Sequence, residues 1–333
     1  MSTAESLTLV LDGGTTNTRA HLFVGDRRLS VAARPIGVRD TARSGSREAL
    51  IVAVKESIAE ALQAAGRVLP EVDTLCAAGM LTSEVGLAEV PHVVAPVGHD
   101  GLARHVMVRT LGEVADVPMR FVPGVKTVPA VVDRGHLATM DMMRGEEVAT
   151  FGILQQTGRR GPLLLLLPGS HTKLVAVDGR GRIAASYTTL AGEALASLAR
   201  HTVLAGSTPP ELPETPPADC VAEGMEFARQ WGLMRSAFAV RLQHVFLGAD
   251  PVQCAAFLSG AVIEADVESL LRWRGINRRA PLLVGGRQPL RRFYAQRLRG
   301  QCDLTVVELD DQVAAEAPAR GALSVVRRSL RSA

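Results

Sequence analysis

Three short glycine-bearing words hold most of the chemistry open to this 333-residue chain. The first, Asp12-Gly13-Gly14-Thr15-Thr16-Asn17, sets a carboxylate, two glycines and two hydroxyls directly after the apolar run Leu7–Leu11. Glycines let backbone N–H groups close on phosphate oxygens, and threonine hydroxyls add donors. A carboxylate beside a polyphosphate repels it unless a cation intervenes, so Asp12 points to Mg²⁺, held partly through water. The second word, Gly169-Ser170-His171-Thr172-Lys173, ends in one of only three lysines, the others being Lys55 and Lys126. An ammonium there could act as a point charge on a transferring or leaving phosphate. The third, Gly285-Gly286, follows the apolar stretch from Ala280 and fits a turn on which an adenine or ribose could lie. A metal-holding carboxylate turn facing a lysine turn suits phosphoryl transfer. Taken singly, each word has a plainer reading: Asp-Gly-Gly-Thr is a good hairpin turn, and Gly285-Gly286 a helix-opening one. Neither G-x-x-x-x-G-K-[ST] nor a G-x-G-x-x-G after a strand occurs, so a phosphate site here is of another kind.

Phosphoryl transfer to a hydroxyl also needs a carboxylate to take the proton. Arg144-Gly145-Glu146-Glu147 opens a helical stretch, and Glu146 is the favoured base, with Asp141 and Glu147 behind it. The competing account is that both glutamates only favour a helix N-terminus, where each gains ~0.3–1 kcal/mol from the dipole. The planar fork of Arg144 could hold a substrate carboxylate, although a surface arginine is the default in so Arg-rich a chain. Met80 and Ser83, after a strand that runs into a Gly turn, could line a sugar pocket; Met80 could equally be core. Glu193 is given no role.

The elements that must position these words follow from the pattern of apolar residues. Leu7–Leu11, the Gly-rich turn and the alternating run Arg19–Val24 read as strand, turn and strand, with Gly25-Asp26 as the next turn. Arg47–Ala65 carries Leu50, Val54, Ile58 and Leu62 at a step of four and stops at Gly66, an amphipathic helix. Strands are expected at Thr74–Ala78 and Met119–Val122, and a helix at Glu146–Gln156. After the punctuation Thr157–Pro162 the opening theme returns: the apolar run Leu163–Leu167, a glycine word, an alternating stretch Leu174–Val177 and the turn Asp178-Gly179. This long-range echo predicts two related domains facing one another, 1–157 and 158–333. Ser207–Pro217 reads as a loop, Glu223–Leu247 and Val252–Arg272 as long helices, Ala280–Gly286 as a buried strand running into glycines, and Pro289–Leu298 as a helix.

Composition bounds the class. With 47% hydrophobic and 21% charged residues the chain is an ordinary globular protein rather than a disordered one. Its strictly apolar runs, Leu163–Leu167 among them, are far short of the ~20 residues a membrane-spanning helix needs, and the start lacks a signal-peptide pattern, so a cytoplasmic protein without a membrane partner is expected. Arginines are dispersed among acids despite the net charge of +3, which argues against a nucleic-acid partner. Cys76, Cys220, Cys254 and Cys302 are scattered singly and read as reduced thiols. A homodimer is compatible with the sequence.

The order of the three glycine words resembles the actin, hexokinase and Hsp70 ATPase superfamily. Within it, Asp12–Arg19, Ala78-Gly-Met80 with Ser83, Gly86 and Glu89-Val-Pro91, Met143–Glu147, Leu167–Lys173, Gly192-Glu193 with Arg200-His201, and Phe257–Gly260 resemble the 2-dehydro-3-deoxygalactonokinases, in order over nearly the whole chain. The resemblance implies an α/β fold of two actin-like (ribonuclease H-like) domains with a nucleotide cleft between them. It implies transfer of the γ-phosphate of ATP to the 6-hydroxyl of 2-dehydro-3-deoxy-D-galactonate, a step of galactonate catabolism. ATP, Mg²⁺ and a small sugar acid are the implied ligands. The chain departs from the family pattern at Gly13, Leu87, His92 and Ala191, where the family has an aromatic, Trp, Tyr and Thr. Leu87 and His92 lie in the stretch expected to meet the sugar acid, so a kinase for another keto-deoxy acid, such as 2-dehydro-3-deoxygluconate, fits the same words. A non-catalytic actin-like protein that binds nucleotide is the rival from another class.

Overall fold

The structure, a computed structural model, describes residues 6–299 and 304–331. Cys302 lies outside them. The chain divides into two compact units. One holds the described residues up to Gly161 together with Val177–Ser186 and the residues from Ala315 on; the other holds Pro162–Ala176 and Tyr187–Ala314. The sequence suggested a single break after residue 157; the first crossing falls at Gly161/Pro162, and the chain returns twice to the first unit.

The first unit is built on a sheet of order β3-β2-β1-β4-β7-β6: β1 (Leu7–Gly13), β2 (Thr18–Val24), β3 (Arg27–Arg34), β4 (Thr74–Gly79), β6 (Met107–Leu111) and β7 (Ala115–Phe121). β1 pairs antiparallel with β2 and parallel with β4, in a register that sets Asp12 beside Ala78 and Gly13 beside Gly79. The strand expected at Met119–Val122 is the end of β7, which begins at Ala115. A small second sheet contains β5 (Val93–Val94), β8 (Val125–Thr127) and β9 (Asp141–Met143). Helices α1 (Val38–Ser44), α2 (Glu48–Ala64), α3 (His99–Ala103) and α4 (Glu146–Thr157) complete the unit. The step of four in α2 is used as expected: Leu50, Val54, Ile58 and Leu62 are all buried, in one core with Leu9, Leu11, Leu22 and Leu75.

A third sheet, that of the second unit, repeats the strand order as β12-β11-β10-β13-β14: β10 (Leu163–Leu167), β11 (Thr172–Val177), β12 (Ile183–Thr189, of which Ile183–Ser186 belong to the first unit), β13 (Leu282–Val284) and β14 (Val306–Glu308). β10 lies parallel to β13, and β13 to β14. Leu163–Leu167 need not alternate, because both faces of β10 are covered; Leu164 and Leu166 join the helix-side core while Leu163 and Leu165 are buried as well. The helices are α5 (Ala191–His201), α6 (Ala218–Trp231), α7 (Leu233–Leu247), α8 (Pro251–Leu271), α9 (Leu290–Arg299) and α10 (Asp311–Arg331). α8 is apolar nearly all round because α5, α6, α7 and α9 pack about it. The single helix expected at Glu223–Leu247 is two helices: Gly232, with φ +75°, takes a left-handed conformation that breaks the run. α10 begins in the second unit and ends in the first. There it crosses α4 closely enough that a Cβ on Gly152 would stand 1.9 Å from the Ala317 carbonyl oxygen, and one on Gly321 1.7 Å from that of Val148.

Candidate active site

In the first unit the Gly-rich turn is braced from outside. Gly14 N–H donates to the Asn17 carbonyl (2.8 Å), Arg39 N–H to that of Thr15 (3.0 Å), and Gly37 packs so close to Thr15 and Thr16 that a Cβ would lie 2.5 Å from their backbone. Thr15, Thr16 and Asn17 remain half-buried, with Asn17 Nδ2 on the Thr16 hydroxyl. The Asp12 carboxyl, 14% exposed, pairs with Arg19 at 3.5 Å. Burial pushes its pKa up, and the Arg19 guanidinium pulls it part of the way back.

The next piece is brought in by β4. Gly79 has φ +68°, and a Cβ there would collide with the Gly13 carbonyl at 2.4 Å and lie 3.5 Å from Asp12 Oδ1. On its other side stands Gly145, φ +107°, whose Cβ would lie 3.5 Å from Gly79 Cα. Gly79 needs glycine for both its conformation and its approach to Gly13, Gly145 for its conformation, and the start of α4 thus lies against the end of β4. Asp12, Gly13 and the sequence Arg144–Glu147 are thereby brought together.

The two glutamates behave differently. Glu147 is fully buried and both its carboxylate oxygens accept from Gly145 N–H (3.0 and 2.8 Å). Burial, reinforced by the charge of Glu146, raises its pKa to about 8. Glu146 is half-buried on the first turn of α4, and Asp141 sits on β9. Arg144 is held: Nη1 donates to the Thr82 hydroxyl (2.9 Å), and Nη2 to the Val90 carbonyl (2.6 Å), with His92 Nδ1 at 3.3 Å. Burial lowers its pKa, against the charges of Glu147, Glu84 and Glu89. Met80 opens the short helical turn Met80–Thr82 and is half-buried. Ser83 is buried and its hydroxyl donates to the Met80 carbonyl (2.7 Å), closing this turn.

The second unit brings the other two glycine words together. Gly285 N–H donates to the Leu166 carbonyl (2.8 Å), and a Cβ on Gly286 would stand 2.6 Å from the Pro168 carbonyl oxygen, so the two turns are adjacent. Gly192, at the start of α5, presses on the same place: a Cβ there would lie 2.2 Å from the Gly169 carbonyl oxygen. Ser170 is exposed, and its carbonyl accepts from Glu193 N–H (3.0 Å). Lys173, in β11 just after this turn, is 3% exposed and its ammonium donates to the Thr188 hydroxyl (2.5 Å).

Sequence reasoning passed over the residues that support this second turn. Glu193 pairs with His171 at 3.2 Å. Beneath, Asp266 of α8 accepts from the Thr189 hydroxyl and the Tyr294 phenol, each at 2.5 Å, and Tyr294 meets the Thr172 hydroxyl at 3.3 Å. Burial raises the pKa of Asp266 against these hydroxyl donors, and that of Tyr294 further still. The available signal was one of only two tyrosines, whereas Asp266 shares its helix with Glu264 and Glu268 and is not singled out by type.

Among the described residues no three His, Cys, Asp or Glu side chains gather as a metal cage. No described helix is long and apolar enough to cross a membrane.

Comparison with known proteins agrees with this arrangement. A curated Escherichia coli 2-dehydro-3-deoxygalactonokinase is 27% identical over 304 residues, 91% of this chain and 93% of that one. A Sinorhizobium meliloti crystal structure, of a candidate 2-dehydro-3-deoxygalactonokinase, superposes with TM-score 0.71 at 21% identity over 98% of both chains. The activator of 2-hydroxyisocaproyl-CoA dehydratase from Clostridium difficile, solved with bound ADPNP, shares the fold at TM-score 0.52 and 11% identity, over 98% of this chain and 96% of that one. The repeated strand order is that of actin-like domains. The model of the 2-keto-3-deoxy-galactonokinase family matches residues 12–323, and the chain therefore belongs to that family of phosphotransferases.

Proposed function

We propose that the chain transfers the γ-phosphate of ATP to the 6-hydroxyl of 2-dehydro-3-deoxy-D-galactonate, giving the 6-phosphate and ADP. The observation that carries this reading is the Gly79–Gly145 contact, which joins a metal-type carboxylate turn to a helix start bearing two carboxylates and a fixed arginine.

Asp12 fits Mg²⁺. It is a strand-end carboxylate whose burial is only partly offset by a long 3.5 Å pair with Arg19, so it gains from a cation, and one carboxylate with water and phosphate oxygens is an ordinary Mg²⁺ environment. When bound with the nucleotide, Mg²⁺ would offset charge on the phosphate oxygens. Each glycine turn would bind phosphate through its own backbone, Gly13, Gly14, Thr15, Thr16 and Asn17 in the first unit and Gly169, Ser170, His171 and Thr172 in the second. Gly285 and Gly286 would carry the adenosine. Lys173 would offset the charge that develops on the transferring phosphate.

Arg144, already fixed by Thr82 and Val90, would hold the sugar-acid carboxylate, with Met80 against the carbon chain. Glu146 would accept the proton of the 6-hydroxyl, and Glu147, tied to Gly145 N–H, would set its position. A sugar acid and ATP as substrates fit a cytoplasmic enzyme of galactonate catabolism.

Coupled ADP release from ATP and Mg²⁺, with and without the sugar acid, tests the reading. Release that depends on the acid is expected, and Glu146→Gln should lower kcat by about 10²–10⁴-fold. ATP-dependent light scattering without acid-dependent release would instead assign the non-catalytic actin-like role.

A further inference from the structure

Both glycine words of the second unit lead to one buried carboxylate. Asp266 of α8 is 5% exposed and takes its hydrogen bonds from hydroxyls. Thr189, at the end of β12, donates to Oδ1 and Tyr294 of α9 to Oδ2, each at 2.5 Å. The Tyr294 phenol also meets the hydroxyl of Thr172, the first residue of β11, at 3.3 Å. Tyr294 and Thr172 are buried as well, so neither hydroxyl has bulk water as an alternative partner. An acid in such a place carries a desolvation cost that hydroxyl donors only partly offset, and an apolar side chain would fill the space at less cost. What the carboxylate supplies is a fixed geometry.

That geometry runs between the two words. The turn Gly169–Thr172 begins beside Gly285-Gly286, because Gly285 N–H donates to the Leu166 carbonyl and Gly286 lies against Pro168. It ends at Thr172, whose hydroxyl is tied to α9, the helix that follows Gly286 and starts at Leu290. Each end of the phosphate turn is thus referred to the Gly285-Gly286 segment, one through the backbone and the other through Tyr294. We infer that Asp266 and Tyr294 are positioning residues that fix the phosphate turn relative to the adenosine turn, and so set the affinity for a nucleoside polyphosphate without touching it. This rests on the reading that the two turns hold ATP.

The test separates nucleotide affinity from everything else. Tyr294→Phe removes the phenol oxygen and keeps the ring. Tyr187→Phe is its matched control, since the Tyr187 phenol also bonds a hydroxyl of α8, that of Ser269 at 2.9 Å, but this bond leads to neither glycine word. In the full chain, Tyr294→Phe should raise the Kd of ADP, by titration calorimetry, and KM for ATP by roughly 5–20-fold, while KM for the sugar acid moves by less than about twofold. Tyr187→Phe should leave all three within about twofold of wild type. Asp266→Asn, which keeps the shape and one acceptor oxygen, should lose less ADP affinity than Asp266→Ala, and it carries the comparison if Tyr294→Phe does not fold. ADP affinity unchanged in Tyr294→Phe, an equal loss in Tyr187→Phe, or an equal rise in KM for the sugar acid would overturn the proposal. A wild type that binds no ADP would remove the nucleotide reading itself, and the proposal with it.

Discussion

Glu147 gives the residue scale its clearest consequence. Burial lifts its carboxyl pKa to about 8 in the folded state, whereas in the unfolded chain it releases its proton near the ordinary glutamate value of 4.5. Between these values the folded state binds more protons than the unfolded, so this group contributes stability that is lost as pH rises through the window. Glu147→Gln removes the dependence: its melting temperature, relative to wild type, should climb between about pH 5 and about pH 9. A difference that stays flat across that range would show Glu147 to be charged in the fold. Gly13 makes a second case. A Cβ there would lie 2.3 Å from Leu81 Cγ, so the buried Leu81 occupies the space that a side chain at position 13 would need. Gly13→Ala should cost roughly 1–3 kcal/mol by overpacking, and Leu81→Ala in the same chain should recover at least ~1 kcal/mol of it by a double-mutant cycle in urea. Additive losses would sink this account. The residue types of the site were legible, since Asp12, Arg144, Gly145 and Glu146 announce their chemistry. Their partners were not, because Thr82, Val90 and His92 reach Arg144 through the fold, and a lysine in a motif does not disclose that its ammonium bonds the Thr188 hydroxyl.

α2 was legible because one face is buried and one exposed: its step of four gives its boundaries within a residue. α10 was missed because Pro318 and Gly321 lie inside it and read as breakers. Both make sense only in the packed helix pair, where Gly321 and Gly152 let α10 and α4 touch backbone to backbone. Gly321→Ala would drive a methyl into the Val148 carbonyl and force the helices apart. A loss of at least about 3 kcal/mol, at the upper end for a single substitution, is expected from urea unfolding. A loss under about 1 kcal/mol, the centre of the ordinary range, would contradict so close a crossing. Gly232 is the converse case: one glycine in an apolar helical run reads as tolerated, yet here it separates α6 from α7.

For the whole molecule, the echo between Leu7–Thr16 and Leu163–Thr172 was enough to predict two related units, and their common strand order accords with that expectation. The returns of the chain to the first unit were beyond the sequence, since no local pattern marks where a terminal helix packs. The central claim is chemical, and one measurement meets it most directly: kcat/KM for ADP release with 2-dehydro-3-deoxy-D-galactonate and with its gluconate epimer, side by side, with the product phosphate located by nuclear magnetic resonance. The account predicts a clear preference for the galactonate acid and a phosphate on the C6 oxygen. Equal or greater turnover of the gluconate acid, or a phosphate elsewhere on the chain, would contradict it.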